Sequence, residues 1–207
     1  MTRESPYATS HKGLRHAIAR FQLLAGRTRY DRPDDVALLR ERGDELALLL
    51  THHLEAEERF FLTPLRARHP AAAEHDLHEH EQLEQVQAAW VDALARLDGS
   101  PEQGRHFYLQ VTDFHARYLA HILHEERVTE SAMFACFTND EVAEFSSGIL
   151  ASVELPVLVA SLRYIVPAQS DDESRALLER LRPAPFFGDV VAALREDLGD
   201  EALARLL

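Results

Sequence analysis

The chain has 207 residues, and its 35 acidic against 22 basic side chains leave a formal net charge of −13. That balance disfavours nucleic acid and anionic membrane surfaces as partners, because both require a basic face, while 46% hydrophobic and 28% charged residues suit a folded domain. A single cysteine, Cys136, excludes an intrachain disulfide and a cysteine-built zinc site.

Met1 to Lys12 is polar, so no signal peptide is expected. No apolar run reaches the ~18 residues of a membrane span, and a cytoplasmic setting is expected. From there the chain reads as helix almost throughout, rich in Ala, Leu, Glu and Arg. A first helix is predicted from Ser10 to Ala25, with Gly26 as its stop and Leu14, Ile18, Phe21 and Ala25 as its apolar stripe. A second starts at Pro33-Asp34-Asp35 and runs to about Arg68 through Leu46, Leu49, Leu50, Phe60 and Phe61. Pro64 is expected to end or kink it.

A third helix is predicted from Ala72 to Leu97, with Leu77, Leu83, Val86, Trp90, Leu94 and Leu97 inward. Asp98-Gly99-Ser100-Pro101 is a turn. A fourth helix runs from Glu102 to Phe134, with Val111, Phe114, Tyr118 and Val128 on its face. Four long amphipathic helices with short connections predict an all-α fold, an antiparallel four-helix bundle over residues 1–137. Residues 138–207 read as an extension of three or four shorter helices, with capping signatures at Thr138-Asn139-Asp140-Glu141 and Ser170-Asp171-Asp172-Glu173. No internal repeat is read.

The twelve histidines all lie between His11 and His124. Two sit in the same short pattern on two long helices, His53-x-x-x-Glu57 and His121-x-x-x-Glu125. At about 100° per residue, positions four apart share a helix face. Both pairs continue an apolar stripe, His53 after Leu46 and Leu50, and His121 and Glu125 after Phe114 and Tyr118. An ionised glutamate buried in a bundle costs several kcal/mol unless paired or bound to a cation, so two such pairs ask for metal. The other two helices each place one histidine on the inward stripe, His11 and His80. Imidazole and carboxylate donors without thiolate suit two iron or manganese ions inside a bundle. His16, His52, His69, His75, His78, His106, His115 and His124 read as surface residues, and Glu58 and Glu126 as groups that orient a histidine.

The order His11, His53-x-x-x-Glu57, His80, His121-x-x-x-Glu125 resembles that of hemerythrin-like (HHE cation-binding) domains, as do the segments HHLEAEERFF and YLAHILHEER. The resemblance spans about residues 8–135 and implies two non-haem iron ions, oxo- or hydroxo-bridged. It makes Glu57 and Glu125 the bridging carboxylates and His11, His53, His80 and His121 the terminal ligands; manganese or zinc are alternatives. Residues 138–207 resemble a helical extension of some bacterial members.

Oxygen carriers of the family have a second histidine four residues from the first on the third helix; Asp76 and Glu84 stand at that distance from His80. Carriers also end with a His-x4-Asp pair, where this chain has His121-x-x-x-Glu125, with Glu126 as the alternative at the longer spacing. The expected role therefore moves from O2 transport to sensing, iron handling or redox stress, with O2, NO or iron bound at the centre. One alternative is a di-iron enzyme that reduces peroxide or NO or oxidises Fe(II). Another is a helical interaction module with a structural metal. The apolar stretch Leu155 to Val166 is long for a surface helix and offers a homodimer interface.

Overall fold

The computed structural model describes residues 3–207. It is all-helical, without a strand among the described residues, and has eight helices. α1 is Ala8–Arg27. α2 runs Pro33–Glu57, passes through a π-helical turn at Glu58–Leu62 and continues as Thr63–Arg68. α3 is Pro70–Ala95. α4 runs Pro101–His124, passes through a second π turn at Glu125–Thr129 and ends as Glu130–Cys136. α5 is Asn139–Ser152, α6 Leu155–Ile165, α7 Asp171–Leu181 and α8 Phe187–Leu206. No single helix among the described residues is long and apolar enough to cross a membrane.

The chain divides into two compact units, one of residues 3–7 and Ile18–Ser152, the other of Ala8–Ala17 and Val153–Leu207. In the first, an aromatic ladder of Phe21, Trp90, Phe114 and Tyr118, with ring centroids 5.4–5.9 Å apart, fills the space between α1, α3 and α4. A second cluster of Tyr7, Phe61, Leu65, Ala73, Met133, Phe137 and Val142 lies where α2, α3, α4 and α5 meet. Burying such side chains stabilises the unit by roughly 1.5–3 kcal/mol each. Turns confirm local chemistry: Gly99 adopts φ 91°, a left-handed conformation that only glycine tolerates cheaply. The Thr138 box also forms, with the Glu141 amide bonded to Thr138 Oγ1 at 3.2 Å and the Thr138 amide to Glu141 Oε2 at 2.8 Å.

α2 and α4 share a plan that their dissimilar residues conceal. Each starts with proline, carries His-x-x-x-Glu, and widens into a π turn that begins just after Glu57 in α2 and at Glu125 in α4. Pro33 and Pro101 are separated by the same interval as His53 and His121, so the proline start and the His-x-x-x-Glu motif stand in the same register on both helices. In the wide turns the Thr63 amide bonds Glu58 O and the Glu130 amide bonds Glu125 O, five residues back in each case.

The π turns correct two sequence expectations. Pro64 does not end α2, which continues to Arg68, because the proline follows a turn that already departs from the i→i−4 ladder. The buried line of α4 passes to Thr129 rather than Val128: Thr129 is 0% exposed and Val128 49%. One extra residue per π turn carries the inward face forward, and the same step buries Phe61 while Phe60 stays half-exposed. On α3 the inward line is Ala73, Asp76, His80, Leu83, Gln87, Trp90 and Leu94, so Leu77 and Val86 are only half-buried. Gln87 is accommodated there by donating to Ala47 O at 3.1 Å and Thr51 Oγ1 at 2.9 Å. Nor does Gly26 stop α1. It lies inside the helix, facing the Tyr108 ring, and Thr28 takes up the extended backbone that ends it.

The second unit is built on Leu162, Val166, Leu178, Val190, Leu194 and Leu203. Gly13 of α1 lies so close to α6 that a Cβ would meet Ile165 Cγ1 at 2.5 Å. Ser170 and Glu173 form the reciprocal cap expected at the start of α7, and Lys12 Nζ lies 2.9 Å from Glu173 Oε2. α8 bends at Gly199, where φ is 75°.

Candidate metal centre

The first unit brings five of the six sequence-predicted ligands into one buried cluster. His53 and Glu57 come from α2 just before its π turn, His80 from the middle of α3, and His121 and Glu125 from α4 at its own π turn. Glu57, His80, His121 and Glu125 are all buried, and one ligand atom from each lies within 4.8 Å of the others. His53 Nε2 is 3.1 Å from Glu57 Oε2. His80 Nε2 stands 3.9 Å from Glu57 Oε2 and 3.8 Å from Glu125 Oε1, between the two carboxylates. His121 Nε2 is 3.4 Å from Glu125 Oε2. His11, the sixth predicted ligand, is fully buried on α1 and belongs to the second unit.

Each ring on α3 and α4 is oriented from its outer side. His80 Nδ1–H donates to Glu58 Oε1 at 3.2 Å, and His121 Nδ1–H donates to Glu79 Oε2 at 3.0 Å. A carboxylate on Nδ1 fixes the tautomer that leaves the Nε2 lone pair pointing inward. Both Nε2 atoms are buried and make no hydrogen bond. Buried imidazole nitrogens without a hydrogen bond are expensive in a folded protein, and here both face carboxylate oxygens. A cation at their meeting point would satisfy all of them, so the cluster can hold a metal ion.

Charge in the cluster perturbs its neighbours. With no cation between the carboxylates, burial pulls the His80 imidazole down, but the adjacent Glu125 and Glu57 carboxylates, with the Glu58 hydrogen bond, outweigh it and raise the pKa to about 9. Burial raises the Tyr118 phenol well above its ordinary value, and Glu57 and Glu125 push it in the same direction. The Tyr118 ring packs against His53 and His121, with centroids 6.5 and 6.0 Å away, forming an aromatic wall of the site.

Two residues in and beside this site escaped sequence reasoning. Glu79 has no apolar neighbour pattern to mark it, and its role depends on a ring from a different helix. Asp76 was visible only as a substitute one turn from His80; it is fully buried, and its Oδ2 accepts a hydrogen bond from Thr129 Oγ1. Burial raises its pKa, and the Thr129 bond opposes that rise. Glu58 orients His80, the role expected of it. Of the histidines read as surface residues, His69, His75, His78 and His106 are exposed, while His16, His52, His115 and His124 are half-buried.

Comparison with protein-family models, with curated proteins and with solved structures found no match for this chain.

Proposed function

We propose that this chain is a hemerythrin-like metal-binding protein in which α1–α4 form a four-helix bundle around a non-haem di-iron centre. The observation that carries the reading is the pair of buried Nε2 atoms of His80 and His121, each held from behind by a carboxylate and aimed at Glu57 and Glu125. Glu57, Glu125, His53, His80 and His121 would hold the metals, the carboxylates supplying negative charge and the imidazoles nitrogen donors. His11 is included on the sequence pattern alone. Bound iron would supply a redox-active centre with affinity for O2 or NO. The chain's own residues keep both rings in one tautomer through Glu58 and Glu79, balance cationic charge with two buried carboxylates, and limit water through the Tyr118 ring. With Asp76 in place of a second α3 histidine, a sensing, iron-handling or redox-stress role is favoured over O2 transport.

Metal analysis and an optical spectrum of protein purified from iron-supplied cells, before and after exposure to air, test this. Two irons per chain with ligand-to-iron charge-transfer bands are expected. Absence of metal, or a single zinc per chain, would overturn the di-iron reading.

A further inference from the structure

Beside the buried cluster, His75 and Asp76 of α3 and His124 of α4 converge, and one ligand atom from each lies within 4.8 Å of the others. The His75 and His124 rings are 4.1 Å apart, inclined at 45°. His124 Nε2 stands 3.6 Å from Asp76 Oδ1, beyond hydrogen-bond distance. Asp76 is 0% exposed, and Oδ1 is buried without a hydrogen bond although Thr129 satisfies Oδ2. A buried carboxylate normally has both oxygens bonded. Here one oxygen is anchored by the protein and the other is directed at an imidazole.

Two imidazoles in contact repel when both are protonated, whereas neutral rings offer lone pairs. Two neutral imidazoles and one carboxylate are a donor set for zinc and related ions, with the remaining coordination position left to water. The side-chain exposure of 51% at His75 and 28% at His124, against 0% at Asp76, gives such an ion a route from solvent. We infer that His75, Asp76 and His124 form a mononuclear site for a divalent transition-metal ion of the zinc class, separate from the Glu57–Glu125 cluster. Glu79 links the two places: Oε1 lies 3.5 Å from His75 Nε2, and Oε2 accepts from His121 Nδ1. The site stands on its own geometry and does not depend on iron in the buried cluster.

The experiment is a Co2+ titration of chelator-treated full-length protein, followed by visible absorption and equilibrium dialysis. The wild-type chain is compared with a His75→Ala/His124→Ala variant, with folding of each checked by circular dichroism. Loss of one Co2+ equivalent per chain and of its d–d bands in the double variant is expected. Asp76→Asn, which keeps the side-chain shape, should weaken the same equivalent at least tenfold. A Glu57→Gln/Glu125→Gln variant separates this site from the proposed iron centre, because it should retain the equivalent that His75 and His124 control. Unchanged stoichiometry and affinity on replacing His75 and His124 would overturn the proposal, whatever the iron content of the wild-type protein.

Discussion

Glu79 Oε2 accepts a hydrogen bond from His121 Nδ1 at 3.0 Å, joining the exposed edge of α3 to a ring buried on α4. Carboxylates in this position raise the basicity of the imidazole and hold its plane, and their loss typically lowers metal affinity 10–100-fold. Glu79→Ala is therefore expected to weaken metal retention by roughly that factor while leaving the helical content intact. Competition with a chelator of known affinity, read against the wild-type chain, would reveal the change; equal retention would remove Glu79 from the site.

His53→Ala and Glu125→Ala should each lower the bound metal, since both remove a donor from the buried cluster, whereas His106→Ala on the exposed face of α4 should not. Metal that binds only the folded state stabilises it by about 3–4 kcal/mol at 100–1,000 times its dissociation constant. Chelation should then depress the thermal midpoint of the wild-type chain more than those of the His53 and Glu125 variants. Near-full metal content in both variants would contradict the assignment.

Gly104 opens α4 beneath Tyr30, whose ring would lie 2.3 Å from an added Cβ. That ring cannot swing freely, because its hydroxyl donates to Ala25 O at 2.9 Å and the side chain is half-buried. Gly104→Ala trades a gain in helix propensity against this overlap, and overpacking of this kind costs about 1–3 kcal/mol. A fall in the urea midpoint with an unchanged slope is expected; a rise would show that Tyr30 yields at little cost.

Glu141 closes the cap of α5 and pairs with Arg68 of α2, its Oε1 lying 2.5 Å from Arg68 Nη2. The Arg68 hydrogen bond, followed by the bond from the Thr138 amide, lowers its pKa from 4.5 to about 2. A carboxylate whose folded-state pKa is depressed contributes stability that is fully present above its unfolded value and is lost as pH falls through the folded one. The difference in stability between wild type and Glu141→Gln should therefore be constant at neutral pH and shrink between pH 4.5 and about 2. Denaturant titrations of the two proteins across that window would show convergence; a gap that stays constant would place the contribution elsewhere.

Helical periodicity and residue chemistry by themselves determined the all-helical class, the turn at Gly99, the caps at Thr138 and Ser170, and the burial of His11, Glu57, His80, His121 and Glu125. Those features are local: a glutamate four residues from a histidine on an apolar stripe is inward wherever the helix packs. Tertiary structure decided the rest. Thr129 displaced Val128 from the interior because a π turn shifts the face by a residue, and a pattern laid out at 3.6 residues per turn cannot register that shift. Asp76 and Gln87 are buried because Thr129, Thr51 and Ala47, all on other helices, supply their hydrogen bonds. The pairing of Glu79 with His121, and of His75 with His124, likewise exists only once α3 lies against α4. Spacing along one helix specifies a face, but the partners that make a polar face tolerable in the interior come from other helices.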